Sequence, residues 1–239
     1  MKLHLLPTRT GGAAENMALD FLLLQRYPCP AAPRFRHYEW REPAFTFGFG
    51  QKIEFVRERL PAGEQVDLCR RPTGGGLVDH RHDWTYALVL PRGHALYDVR
   101  ATESYRAVHE GLAVALKAIG QPAVLQAVPG ARDDAGGGAV APGVCFQRAE
   151  LYDVINERTG AKIAGAAQKR NQHGLLIQGS IEKGSIAAVD WDEFQTRFTD
   201  ALAATLGAEA AETPWPDLND DEVSGLVEQY SSSEWLEYR

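Results

Sequence analysis

Apolar residues recur along this chain at two spacings, and each spacing predicts its own elements. At the helical period, Met17, Phe21 and Leu24 mark a helix over Ala13–Arg26. Gly11 and Gly12 precede it, and Pro28, Pro30 and Pro33 end it, since proline cannot continue a helix. Tyr105, Val108, Leu112, Leu116 and Ile119 form the clearest stripe, over Thr102–Ile119, with Gly120 and Pro122 as the stop. A capping box, Asp190 with Glu193, opens a third helix with the stripe Trp191, Phe194, Phe198 and Leu202, ending at Leu206-Gly207. Shorter helices are predicted over Lys52–Leu60 and from Asn219, where Val223, Leu226 and Val227 face inward.

At the strand period, Ala44–Gly50 alternates strictly, with Phe45, Phe47 and Phe49 on one face and small residues on the other. The small face leaves room for a ligand or for a second backbone packed at Gly48 and Gly50. Trp84–Leu90 is apolar on both faces and reads as a central strand. Arg34–Trp40 and Gly174–Ile181 read as further strands, and Val66–Cys69, leading into the glycine run, as a strand or a turn. Tyr152–Ile155 and Ala161–Gly165 make a hairpin over Asn156–Gly160. Hairpins dominate, so the expected fold is α/β (α+β): one domain with a mixed, largely antiparallel sheet flanked by helices. Its core covers about 11–207, and 208–239 form a helical extension; there is neither an internal repeat nor a linker that would divide the chain.

Composition narrows the function classes. With 44% hydrophobic residues, five Trp, nine Phe and eight Tyr, a substantial core is assured. A formal charge of −7 argues against a nucleic-acid partner while permitting a basic pocket. Met1–Pro7 is too short and too soon broken to be a signal peptide, and no apolar run approaches the ~20 residues of a membrane span. Cys29, Cys69 and Cys145 are odd in number and widely spaced, unlike a disulfide framework. A cytoplasmic protein is expected, with no membrane partner.

The chemistry-bearing stretch is Arg70-Arg71-Pro72-Thr73-Gly74-Gly75-Gly76-Leu77-Val78-Asp79-His80. Two guanidiniums, a hydroxyl, successive glycines and an imidazole suit an anionic group, though a plain surface turn has the same glycine signature. The run matches neither the Walker nor the dinucleotide pattern. Residues 126–144 are small and loose, as a loop over a site or as disorder, and Cys145 stands at their exit. Its thiol is either a reachable nucleophile or an ordinary buried side chain; Cys29 and Cys69 read as the latter. Lys162 heads a run of small residues, where it either holds an acyl carbonyl or phosphate by charge, acts as a base, or is an exposed hairpin lysine. His80, His82 and His173 are candidate donors or bases, with His82 and His173 at the surface; their spacing gives no metal site.

Taken together, these stretches resemble the lipoate–protein ligase and octanoyltransferase family, which shares its catalytic domain with biotin protein ligases. Glu15-Asn16-Met17-Ala18-Leu19-Asp20 looks like the family's opening helix. Arg70–Gly76 with His80 and Trp84-Thr85-Tyr86 resembles its acyl-binding glycine loop. Gly160-Ala161-Lys162-Ile163-Ala164-Gly165-Ala166-Ala167-Gln168 is similar to its lysine segment. Val144-Cys145-Phe146 ahead of Tyr152 looks like the cysteine loop of the octanoyltransferase branch. The resemblance covers about residues 11–185. The chain departs from the pattern at Gln147-Arg148-Ala149-Glu150, at Ala166 in place of a usual Ser, and at Ile177 where a His is often found.

What the resemblance implies is transfer of an octanoyl or lipoyl group to a lysine on a lipoyl domain of a 2-oxoacid dehydrogenase or of the glycine-cleavage H protein. Cys145 and Lys162 would be catalytic. Arg70, Arg71, Thr73, Gly74, Gly75, Gly76, His80, Tyr86, Gly165 and Ala166 would bind substrate. In the transferase form, Cys145 takes the acyl group from acyl carrier protein or another donor, without a cofactor. In the ligase form, ATP and Mg2+ activate free lipoate and Cys145 is a bystander. The Cys145 motif favours the first, as does a segment after the catalytic domain too short for the accessory domain of many ligases. A non-catalytic binder of an acyl group or carrier domain would need neither Cys145 nor Lys162. The phenylalanine row and the Trp84/Tyr86 face are expected to line the acyl slot.

Overall fold

The structure is a computed structural model that describes residues 1–128 and 148–238. The chain runs β1 (Lys2–Gly11), α1 (Ala13–Gln25), β2 (Arg34–Trp40), β3 (Ala44–Phe47), α2 (Ile53–Arg57), β4 (Asp67–Arg70), β5 (Val78–Asp79) and β6 (Asp83–Pro91). It continues with α3 (Ala95–Asp98), α4 (Ala101–Ala118), β7 (Ala123–Leu125), β8 (Val154–Asn156), β9 (Lys162–Asn171) and β10 (Gly174–Glu182). The last elements are α5 (Trp191–Thr205), β11 (Glu209–Glu212), α6 (Asp220–Ser231) and α7 (Ser233–Leu236).

Among the described residues the main sheet has the order β11-β1-β2-β6-β10-β9-β8-β7, and a small second sheet has the order β4-β3-β5. β1 pairs in parallel with β2 and β11, and β3 in parallel with β4; the other pairings are antiparallel. The mixed, largely antiparallel α/β architecture expected from the hairpins is therefore present. β6 lies between β2 and β10 with every residue buried, as its two-faced apolarity requires. Its Trp84, Tyr86, Leu88 and Leu90 pack under α4 and α5, where Tyr86 and Phe198 rings meet at 5.1 Å and Trp84 and Phe194 at 5.0 Å. Ala87 and Val89 face the other way, onto Met17 and Leu24 of α1.

Some boundaries differ from the sequence expectation for physical reasons. β1 is hidden from the alternation pattern because Pro7 interrupts it, and the register to β2 shifts between Leu6 and Arg9 to take the prolyl residue out of the ladder. β3 stops at Phe47, because the chain must then turn along the glycine run. The segment after 207 is not wholly helical, since β11 joins the main sheet beside β1 before α6 begins. Asn219 caps α6 by accepting from Glu222 N–H at 3.0 Å, as its position suggested. Cys69 is buried in the α1-side core, whereas Cys29 is exposed in the proline-rich turn after α1, contrary to its expected burial. Among the described residues no helix is long and apolar enough to cross a membrane.

Candidate active site

A cleft with a cavity volume of about 50 Å3 opens between the small sheet and the α1-side face of the main sheet. Met17, Tyr38, Trp40, Val78, Ala166 and Ala167 give it apolar walls, and Thr46, Arg71, His80, Thr85, Lys162, Gln178 and Ser180 contribute polar groups. The glycine run lies beside it, between the lining residues Arg71 and Val78. A Cβ built on Gly48 would overlap the Gly75 carbonyl oxygen and stand 2.7 Å from Gly74 C, so the loop passes against bare backbone there. Both readings of the small-residue face of Ala44–Gly50 are met in part: Gly48 lies against a second backbone while nothing lies within 4 Å of a Cβ on Gly50, and Thr46 lines the cleft. Gly75 itself takes a φ of 88°, a region open to glycine.

The two arginines of the run divide their work. Arg71 lines the cleft and donates to Thr46 Oγ1 at 2.7 Å and to the carbonyls of Gly74 and Gly76 at 3.0 and 2.8 Å, closing the loop around its own guanidinium. Arg70 turns away and donates to the carbonyls of Phe49, Gln51, Trp235 and Leu236 at 2.6–2.9 Å. It braces the loop against the C-terminal helices. Thr73 Oγ1 donates to Gln178 Oε1 at 2.7 Å, and Gln178 Nε2 to Asp20 Oδ2 at 2.6 Å. Asp20 is ion-paired with Arg36 at 2.6 Å, both fully buried. That chain of bonds ties the loop to the main sheet and α1.

His80 stacks on Trp40 with ring centroids 4.2 Å apart. Its Nδ1 lies 2.7 Å from Asp83 Oδ2 and its Nε2 2.6 Å from Thr46 Oγ1. Arg71 donates to the same Thr46 oxygen, and the Asp83 carboxylate is the acceptor that an N–H on His80 Nδ1 would meet. Ser180 and Thr85 hydroxyls also donate to Asp83 Oδ2.

Opposite the loop, β9 carries Lys162 over Gly165: a Cβ on Gly165 would stand 2.6 Å from Lys162 Nζ. The ammonium pairs with Asp153 Oδ2 at 2.7 Å, with both side chains buried. Tyr105 of α4 donates to Asp153 Oδ1 and accepts from Ala166 N–H at 3.0 Å. Burial first, then the Asp153 charge, pushes the Tyr105 phenol well above its usual range. One helical turn on, His109 is fully buried with Nδ1 2.7 Å from the Tyr152 carbonyl, and its Nε2 has no partner among the described residues. Burial holds its pKa down at about 4.

The His109 shift carries a stability prediction. Unfolded, the imidazole takes a proton near pH 6.5; folded, it stays neutral to about pH 4, so the unfolded chain binds more protons in that window. Stability is expected to fall by roughly 3 kcal/mol from this group as pH drops from 6.5 to 4. Urea midpoints of the wild type and His109→Asn should converge as pH is lowered; parallel curves would contradict the assignment.

The structure thus gathers Arg71, Thr73, Gly74, Gly75, Gly76, His80, Lys162, Gly165 and Ala166 around one cleft or in the loop beside it. Arg70 and Tyr86 do not line it. Tyr86 lies on the opposite face of the sheet, where its ring covers Gly179, and its hydroxyl has no partner among the described residues. The expected acyl slot also moves. Phe45 and Phe47 pack with Ile53, Val56 and Leu77 under α2, Phe49 packs on Trp235 and Tyr238, and Trp84 faces α5. It is the small-residue face of β3, through Thr46, that looks into the cleft. His82 is exposed and His173 half-buried in the β9–β10 turn. Cys145 lies outside the described residues, as do most of residues 126–144. Among the described residues no group of three His, Cys, Asp or Glu is placed to hold a metal ion. Sequence reasoning passed over Asp153, Tyr105, Thr46, Asp83 and Gln178; the one available signal was an acidic residue just ahead of the hairpin that carries Lys162.

A buried cation, a glycine loop and apolar walls on one face of a mixed sheet make a site for a small acid or acyl group. Residues 12–200 match the family described as the lipoyl protein ligase A/B catalytic domain, and the chain belongs to that family. It is 33% identical over 187 residues to the octanoyltransferase LipM of Bacillus cereus, a match covering 77% of this chain and 65% of that protein's length. With the octanoyltransferase LipM of an Exiguobacterium species the identity is 30% over 270 residues, covering 98% of this chain and 97% of the relative. The fold is shared with protein Ta0514 of T. acidophilum, solved with bound lipoic acid, at a TM-score of 0.70 and 19% identity over 98% of both chains.

Proposed function

We propose that this chain is a cytoplasmic protein-lipoylation acyltransferase. It moves an octanoyl or lipoyl group to a lysine of a lipoyl domain through a thioester on Cys145. The observation that carries the reading is the Lys162 ammonium, buried beside Gly165 in a cleft with apolar walls that Arg71 and His80, at the two ends of the glycine run, also line. In the first step the Cys145 thiol attacks the donor thioester, a new C–S bond forms, and the carrier leaves as its thiol. In the second the acceptor amine attacks, the C–N bond forms, and its surplus proton leaves with the Cys145 sulfur. Lys162 and the loop N–H groups stabilise the oxyanion in both. Met17, Tyr38, Trp40 and Val78 face the acyl chain, and each methylene they bury contributes about 0.8 kcal/mol, enough for slot depth to select chain length. Arg71, Thr73, His80 and Ala166 shape the polar end; Arg70 and Tyr86 act from behind the walls.

Acyl carrier protein is the proposed donor, and lipoyl domains of 2-oxoacid dehydrogenases or the glycine-cleavage H protein the acceptors. The reaction needs no cofactor. Purified protein given octanoyl carrier protein and an apo lipoyl domain, without ATP, is expected to yield octanoylated domain and an octanoyl mass increment on Cys145. Product only from octanoate or lipoate with ATP and Mg2+ would replace this reading with the ligase one. No product from either donor would leave an acyl- or carrier-binding protein.

A further inference from the structure

We infer that Asp153 is a positioning residue whose carboxylate fixes the Lys162 ammonium over Gly165, in place for acyl transfer. The inference rests on the reading of Lys162 as a catalytic residue.

The carboxylate is built into its place from both sides. Its Oδ2 takes the ammonium at 2.7 Å and the Glu150 N–H at 2.7 Å, and its Oδ1 takes the Tyr105 hydroxyl. The Tyr105 oxygen in turn accepts the Ala166 N–H, which locks the phenol to β9 four residues beyond the lysine. The backbone pays a local cost to present this group: Tyr152, the residue before it, has a φ of 68°, a region that non-glycine residues rarely occupy. That turn is held by Tyr152 N–H on Gln126 O at 2.9 Å, and by His109 Nδ1 against Tyr152 O at 2.7 Å. Tyr105 and His109 are one turn apart on α4, so a single helix face sets both the carboxylate and the bend before it. Strain that the surroundings over-determine, one residue before the partner of a cleft-lining lysine, is a mark of function.

Chemistry gives the direction. A charge-assisted contact fixes where the end of a flexible stem sits. Both partners are buried, so loss of either charge breaks a buried pair. The titratable groups facing the pair agree. From α4, His109 is held neutral by burial and Tyr105 is kept as a phenol. From across the cleft, Arg71 adds a second cation and His80 is turned toward Asp83. The cleft therefore presents a fixed cation where a carbonyl oxygen gains negative charge.

The test is the pH–rate profile of octanoyl transfer by the full chain, with Asp153→Asn against wild type. The variant is expected to lose about tenfold in kcat at neutral pH with KM for the acceptor domain unchanged. A profile matching wild type in kcat, with only stability lowered, would overturn the inference. Lys162→Met in the same assay separates the two readings. If it stays active, the catalytic role of Lys162 is wrong; if it is inactive while Asp153→Asn keeps the wild-type profile, only the role of Asp153 is wrong. Should Asp153→Asn fail to fold, Tyr105→Phe takes its place. It leaves the charge but frees the carboxylate, and should lower kcat severalfold at constant KM; unchanged kcat would overturn the inference equally.

Discussion

Lys162→Met is expected to reduce octanoyl transfer by about a thousandfold or more. Removing one neutral oxyanion donor costs about 10²–10³ in rate, and a buried cation at that position contributes more. Methionine keeps most of the stem's volume, so the slot wall stays in place while the charge is lost. The substitution also strands the Asp153 carboxylate, which among the described residues keeps the Tyr105 hydroxyl and the Glu150 N–H as donors. Breaking a buried pair in this way costs about 3–5 kcal/mol. Stability and activity should therefore part company in the double variant. Lys162→Met with Asp153→Asn removes both charges, and is expected to regain much of the lost urea midpoint but none of the lost rate. Transfer rates and unfolding midpoints of the two single variants and the double form the cycle that checks this. A Lys162→Met enzyme with a tenth or more of wild-type activity would sink the proposed role of the lysine. A double variant no more stable than Lys162→Met would show that the pair adds nothing to folding.

The fold was legible wherever one period ruled a segment. The stripe from Tyr105 to Ile119, the capped helix behind Asp190 and the two-faced strand at Trp84–Leu90 all stand where periodicity puts them. The site was legible where local chemistry was dense, at Arg70–His80 and at Lys162–Gly165. What escaped depends on which face of a strand meets which layer. Alternation at Ala44–Gly50 separates phenylalanines from small residues but does not say which set faces the cleft. The structure answers by packing Phe45 and Phe47 under α2 and giving Thr46 to the site. Tyr86 is misplaced for the same reason, since β6 is buried on both faces and only one of them looks into the cleft. Asp153 escaped because its meaning depends on three separate elements: the bend at Tyr152, the face of α4 that carries Tyr105, and the start of β9. Arg70 and Arg71 are adjacent and chemically identical, yet strand alternation sends one guanidinium to the C-terminal carbonyls and the other into the loop.

Gly48→Ala should act from outside the cleft with nearly as large an effect. The added methyl would overlap the Gly75 carbonyl oxygen and stand 2.7 Å from Gly74 C and 2.8 Å from Gly74 O. These are backbone atoms, so no side chain can swing aside to make room. The loop is also held on its other side, by the Arg71 bonds to Gly74 and Gly76 and by the Thr73 bond to Gln178. Relief therefore requires breaking some of these bonds or shifting β3 from β4 and β5. Overpacking of this kind costs about 1–3 kcal/mol. The larger loss falls on chemistry, because a displacement of about 1 Å in groups that position the reacting carbonyl costs on the order of a hundredfold in rate. Gly50→Ala is the matched control. Nothing lies within 4 Å of a Cβ built there, so the same chemical change two residues away should leave both rate and unfolding midpoint close to wild type. Equal activities for the two variants would mean that the contact of the loop with Gly48 does not set its catalytic position. A large loss at Gly48 with none at Gly50 would assign the function of the glycine run to where the loop sits, and not to its flexibility.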